Sequence, residues 1–173
     1  MRRTNAPRTE RGQSLVEFAV ILPIFLLLLV GIFDFGHVVW ANDAAATAAR
    51  EAARFAIVHG GSVNTECPVG PSVPGVTVVP NPSETCPFPS PSKVGVKQEA
   101  MRWLSGVGGS PTVSVCYGEV ASCAGDVDAI GATNERGTPV TVTVVASVDL
   151  AAPSLFGFGG FEVGASSTML VNH

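Results

Sequence analysis

The sequence predicts an α+β protein in which one long N-terminal transmembrane helix continues into a small extracytoplasmic domain with a short second helix and an antiparallel sheet. Three observations lead there. A long apolar run follows a basic start, an alanine-rich stretch without Gly or Pro prolongs it, and segments of alternating β-branched residues occupy the second half of the chain. The implied organisation is a basic cytoplasmic leader over 1–12, a transmembrane and extended Ala-rich helix over 13–58, a Pro-rich loop over 59–92, and an α+β extracytoplasmic domain over 93–173.

The first element is the most strongly marked. Phe18 to Phe33 are sixteen consecutive uncharged and almost wholly apolar residues; extended back to Leu15, the run is interrupted only by Glu17. As a helix those nineteen residues rise about 28 Å, enough to cross the hydrocarbon of a bilayer. Arg2, Arg3, Arg8 and Arg11 precede the run while Asp34 and Asp43 follow it, so the positive-inside rule puts the N-terminus in the cytoplasm. Trp40 suits the far interface. A cleavable secretory signal is the alternative, but the run exceeds a typical signal core, and small residues for cleavage come only near Ala44–Ala46, beyond two aspartates. Glu17 has two readings: a carboxylate kept for a partner, or one sitting at headgroup level. Pro23 lacks the N–H its helix needs, so a bend or loosening is expected there.

From Ala41 to Ile57 the chain holds nine alanines and no Gly or Pro, so the helix should run to about Val58 and stop at Gly60-Gly61. Ala41, Ala45, Ala48, Ala49, Ala52 and Ala56 form a stripe of small side chains that another element can approach closely, whether the chain's own domain or a neighbouring subunit.

Eight prolines between residues 67 and 91 exclude a regular helix or a central strand, leaving a loop. Cys67 and Cys86 bracket it, and a bond between them would restrict the unfolded chain by roughly 3 kcal/mol. Cys116 and Cys123 enclose six residues, which suits a pinned turn. All four lie after the apolar run, and none makes a C-x-x-C pair, so disulfides in an oxidising compartment are expected rather than zinc.

Lys93 to Leu104 places Val94, Met101 and Leu104 near helical spacing, predicting a short helix that ends at Gly106, with Met101 and Trp103 in the core and Lys97, Gln98 and Glu99 in solvent. Strands are expected at Thr112–Tyr117, Val140–Leu150 and about Phe161–Val171. Between the first two, Asp126 to Gly137 reads as a polar loop whose carboxylates are solvated; Asp126, Asp128, Asn134 and Glu135 lack the spacing of a calcium loop.

Composition narrows function. After residue 12 the chain carries six basic and thirteen acidic residues, which disfavours a nucleic-acid partner. No nucleophile–base set, general acid–base pair or phosphate-binding loop stands out: Gly157–Gly160 lacks the lysine and helix of a P-loop. The expectation is a non-enzyme without cofactor, metal or small-molecule substrate.

Gly12-Gln13-Ser14-Leu15-Val16-Glu17-Phe18, after an Arg-rich leader and before an apolar helix, resembles the processing site of type IV prepilins. Residues 11–56, with Glu17-Phe18, Pro23, and Gly31 and Gly36 before the Ala-rich helix, resemble the TadE-like family of minor pseudopilins of the Flp (Tad) pilus. The resemblance implies cleavage by a prepilin peptidase between Gly12 and Gln13, and subunit assembly through Glu17 and Phe18. It further implies partners among other pilins or pseudopilins and the Tad assembly platform, and residence in the inner membrane, with the pilus or cell surface as later destinations. It stops near residue 58, so the Pro-rich, cysteine-bracketed stretch lies outside the pattern. The competing expectation is a secreted or membrane-anchored disulfide-bonded binding domain unrelated to pili.

Overall fold

A computed structural model describes residues 10–60, 67–71, 86–88, 90, 92–151, 154, 157 and 159–172 of the chain. Helix α1 spans Glu10–Val58, α2 spans Val94–Trp103, and three strands follow: β1 at Thr112–Tyr117, β2 at Pro139–Val148 and β3 at Phe161–Leu170. The strands form one antiparallel sheet in the order β1-β2-β3. A long apolar helix, a short second helix and an antiparallel sheet make the α+β class read from the sequence.

At 49 residues α1 is about 73 Å long. The helix runs unbroken through Gly12, and it ends at Val58 just before the glycine pair. The helix is continuous through Pro23. Only its second half packs on the rest of the chain. Ala41, Ala45, Ala48, Ala49, Ala52, Ala53 and Ala56 are all buried, and the elements packed on this helix are α2 and the inner faces of β2 and β3. The small stripe therefore serves the chain's own domain.

The sheet owes its two faces to strict alternation. Val140, Val142, Val144, Ala146 and Val148 are buried against α1, whereas Thr141 and Thr143 point outward and bond across to Thr168 at 2.8 Å and Ser166 at 3.2 Å. The register pairs Val144 with Ala165 and Ala146 with Val163 over the helix. The strands end slightly earlier than expected: Leu150 and Val171 lie just beyond β2 and β3, though both are buried.

Helix α2 corrects the expected face. Gly95, Val96, Ala100 and Leu104 are buried, while Met101 and Trp103, expected in the core, are 43% and 48% exposed. The cause is close approach. Phe88 lies so near Gly95 that an added Cβ would stand 2.7 Å from its ring. The helix thus presents its smallest side chains inward, and Trp103 instead lies along the surface, donating from Nε1 to Glu99 at 3.3 Å.

Two disulfides join Cys67 to Cys86 and Cys116 to Cys123. Most of the Pro-rich stretch lies outside the described residues, but its two stems are structural: Val69 and Cys86 are buried, and Val69 bridges Ser92 in parallel. Val69 N–H donates to His59 O at 2.8 Å, Ser90 Oγ to Pro68 O at 2.7 Å, and Asn134 Nδ2 to Val69 O at 2.8 Å.

The polar loop between β1 and β2 also departs from expectation, because its aspartates are engaged rather than solvated. Asp126 Oδ1 accepts from Val115 N–H at 2.8 Å and Asp128 Oδ1 from Tyr117 N–H at 2.7 Å, on the side of β1 away from β2. Lys93 pairs with Asp128 at 2.7 Å and Lys97, expected in solvent, pairs with Asp126. The loop closes an edge that would otherwise expose unpaired backbone groups.

Candidate assembly and membrane segment

The residues singled out from the sequence for processing and assembly all lie on the first turns of α1. Gly12 stands with nothing within 4 Å of where a Cβ would be. Gln13 and Glu17 are one turn apart, and Gln13 Nε2 donates to Glu17 Oε1 at 3.2 Å. Phe18 is 63% exposed, and the apolar residues after it, from Val20 to Leu28, are exposed as well. This half of the helix therefore offers its surroundings a hydrocarbon surface with the Glu17 carboxylate near its start.

Such a surface suits a bilayer. By length and composition α1 is the one described helix able to cross a membrane, and its most apolar window has no residue buried by the rest of the chain. A buried core helix would show the reverse. The chain is thus read as membrane-anchored by a single helix.

Beyond α1 the described residues gather nothing that looks catalytic. A shallow cleft is lined by Glu51, Arg54, Phe55, Val58, His59 and Glu99. His59 is tied to its own helix, with Nδ1 3.0 Å from Phe55 O and its ring stacked on Phe55 at 4.0 Å. Glu99 accepts from Arg102 at 3.0 Å and from Trp103. Among the described residues no group of three or more His, Cys, Asp or Glu side chains could hold a metal ion. What distinguishes the molecule is its N-terminal helix.

Residues 12–54 match the family model described as TadE-like protein. No curated protein and no solved structure matches the chain. The TadE-like segment begins at Gly12 and ends within the buried alanine stripe, so it takes in Gln13, Glu17, Phe18, Pro23 and the entire apolar run. It associates the chain with the Tad pilus system. The sheet, α2 and both disulfides lie after the TadE-like segment.

The sequence left open whether the alanine stripe packs on the chain's own domain or on a neighbouring subunit, and the structure assigns it to the domain. The alanine spacing was visible, but one strand of text does not say which partner fills a small stripe. Ala53 and Val38 complete the covered face, and both sit at three- or four-residue steps from stripe members. The alternation in β2 was the signal that a matching apolar sheet lay downstream.

Proposed function

We propose that this chain is a minor pseudopilin of the TadE-like kind, a structural component anchored in the inner membrane during assembly of a Tad pilus. The observation that carries this reading is that the TadE-like match starts at Gly12 and runs along a lipid-suited helix with Glu17 five residues on. In this reading a prepilin peptidase cuts between Gly12 and Gln13 and removes the four leader arginines. The new α-amine of Gln13 is then one turn from Glu17.

A carboxylate and an ammonium in lipid are each costly alone, and a pair formed between neighbouring helices offsets both. The fixed spacing from the new N-terminus to Glu17 would set the axial register between subunits, while Phe18 and the apolar side chains beyond it pack the helices together. Partners are other pilins or pseudopilins and the Tad assembly platform. The basic leader favours a cytoplasmic N-terminus, and disulfides in the folded domain favour an oxidising compartment on the other side.

The test is the mature N-terminus. Mass spectrometry of protein extracted from membranes of cells carrying the prepilin peptidase should find a chain starting at Gln13, and Gly12→Leu should retain Met1. A wild-type chain that still begins before Gly12 would sink the processing step. A soluble product starting near residue 47 would instead favour a secreted binding domain.

A further inference from the structure

One side of α1 stays bare above the apolar run. Asp43, Arg50 and Arg54 are exposed, and each stands two residues before a buried alanine (Ala45, Ala52 and Ala56), so about 200° round the helix from the packed face. Arg50 and Arg54 follow Asp43 at seven and eleven residues, close to two and three whole turns, which sets all three in one stripe along the axis. Between Asp43 and Arg50 the stripe carries only the small, half-buried Ala46 and Thr47. Below Asp43 it continues through exposed Val39, Gly36 and Ile32 into the lipid-suited run.

The domain supplies no counter-charge to this stripe. Among the described residues the ion pairs are Lys93–Asp128, Lys97–Asp126 and Arg102–Glu99, none of which involves Asp43, Arg50 or Arg54. Arg50 donates from Nε to Ala46 O of its own helix at 3.2 Å. With the acid low and the two bases high, the face is complementary to a displaced copy of itself. Copies anchored by α1 cross one membrane in the same direction, so they differ by a rotation about its normal and by any shift along it. Without a shift, Asp43 would meet Asp43 and the arginines would meet arginines, and like charges set against each other are unfavourable. A shift of seven residues, about 10.5 Å, brings Asp43 of the raised copy level with Arg50 of the lower one. Ala46 and Thr47 let the two axes come close.

We propose that the bare stripe of α1 docks on a second copy of this chain displaced by seven residues along the helix, with Asp43 of one copy against Arg50 of the other. Arg50 of the raised copy and Asp43 of the lower one stay free for the next copies. The contact is therefore head-to-tail and does not close on itself, which is the geometry of a filament. The inference rests on the pseudopilin reading and adds an extracytoplasmic contact to it. The same shift sets Gln13 of the raised copy level with Val20 of its neighbour, about 4.5 Å along the axis from Glu17, so one packing accommodates both contacts.

Disulfide trapping tests it on the full chain, in membranes of cells carrying the prepilin peptidase and the assembly platform. Val39 and Ala46 flank Asp43 on the stripe and are themselves seven residues apart, so Val39→Cys in one chain and Ala46→Cys in another report the shift with the charges in place. The expected result is a cross-linked dimer when the two chains are made together, little from either alone, and a ladder of multimers from one chain carrying both changes. Asp43→Arg in that doubly substituted chain should lower the cross-linked fraction about fivefold, and adding Arg50→Asp should restore it, which also shows that the reversed chain folds. Dimers of the Val39→Cys chain alone in excess of the mixed dimer would reveal an unshifted contact and overturn the proposal, as would a second reversal that restores nothing. Mass spectrometry of the same samples separates this contact from the processing step. Chains that begin at Gln13 and give no mixed cross-link overturn the contact alone, cross-linked chains that keep Met1 overturn the processing alone, and uncross-linked chains that keep Met1 overturn both.

Discussion

Asp126 Oδ1 accepts the backbone N–H of Val115 at 2.8 Å, so a loop side chain occupies the place of a further strand along the edge of β1. Asp128 repeats the arrangement one pair on, with Tyr117. Burial would by itself raise the Asp126 carboxyl. The Lys97 and Val115 hydrogen bonds and the Lys97 and Lys93 charges outweigh it and hold the carboxyl below its ordinary range.

A carboxyl with a lowered folded-state pKa contributes fully above its unfolded value of about 3.9 and loses that contribution as pH falls through the folded value. Asp126→Asn isolates the charge, since Asn also tolerates the positive φ of 62° at this position. The expected loss at neutral pH is about 1 kcal/mol, at the low end because Lys97 and Asp126 are each roughly a third exposed. Chemical denaturation across the acid range should give a shallower fall for the variant than for the wild type; parallel curves would remove the ion pair from this account.

Gly95 reverses the usual rule for helices. Ala in place of an interior Gly normally gains up to about 1 kcal/mol. Here the new Cβ would stand 2.7 Å from Phe88 Cζ, and Phe88 is itself buried with its ring edge-on to Phe55 at 6.3 Å. Gly95→Ala should destabilise by about 1–3 kcal/mol, and Phe88→Leu in the same chain should recover part of that loss. Thermal melts of the single and double variants would check the sign, and a more stable single variant would show that Phe88 gives way freely.

Much of this was legible because it depends on local periodicity. The apolar run, the alanine spacing and the alternation from Val140 to Val148 each fix an element without reference to the rest, and the Gly12–Glu17 spacing is legible in the same way because both residues lie on one short stretch of helix. What could not be read depends on partners distant in sequence. Trp103 looks like a core residue until Phe88 is known to sit against Gly95, and Asp126 looks solvated until β1 is known to have an open edge beside it. The same holds for Asp34, whose bond to the Ala151 N–H joins residues 117 positions apart.

Ala48 is fully buried on the covered face of α1. Ala48→Leu adds three carbons to a contact with no room for them, and overpacking of this kind costs about 1–3 kcal/mol. Leu is nearly as good a helix former as Ala, so far-ultraviolet circular dichroism should be unchanged while the unfolding midpoint of the detergent-solubilised protein drops. An unchanged midpoint would mean that the stripe does not hold the domain to α1.

The Tyr117 hydroxyl is buried without a hydrogen-bond partner among the described residues. Burial first, and the Asp128 charge second, push its pKa well above the ordinary tyrosine value. In the unfolded chain the phenol ionises near pH 10, whereas in the folded chain it stays neutral, so the folded state loses relative stability as pH rises past about 10. Tyr117→Phe removes both the stranded hydroxyl and this alkaline penalty. It should leave stability unchanged or raise it by about 1 kcal/mol at neutral pH, with a growing advantage above about pH 10. Unfolding midpoints at neutral and alkaline pH decide the matter: a variant weaker than the wild type at both would mean that the hydroxyl has a partner.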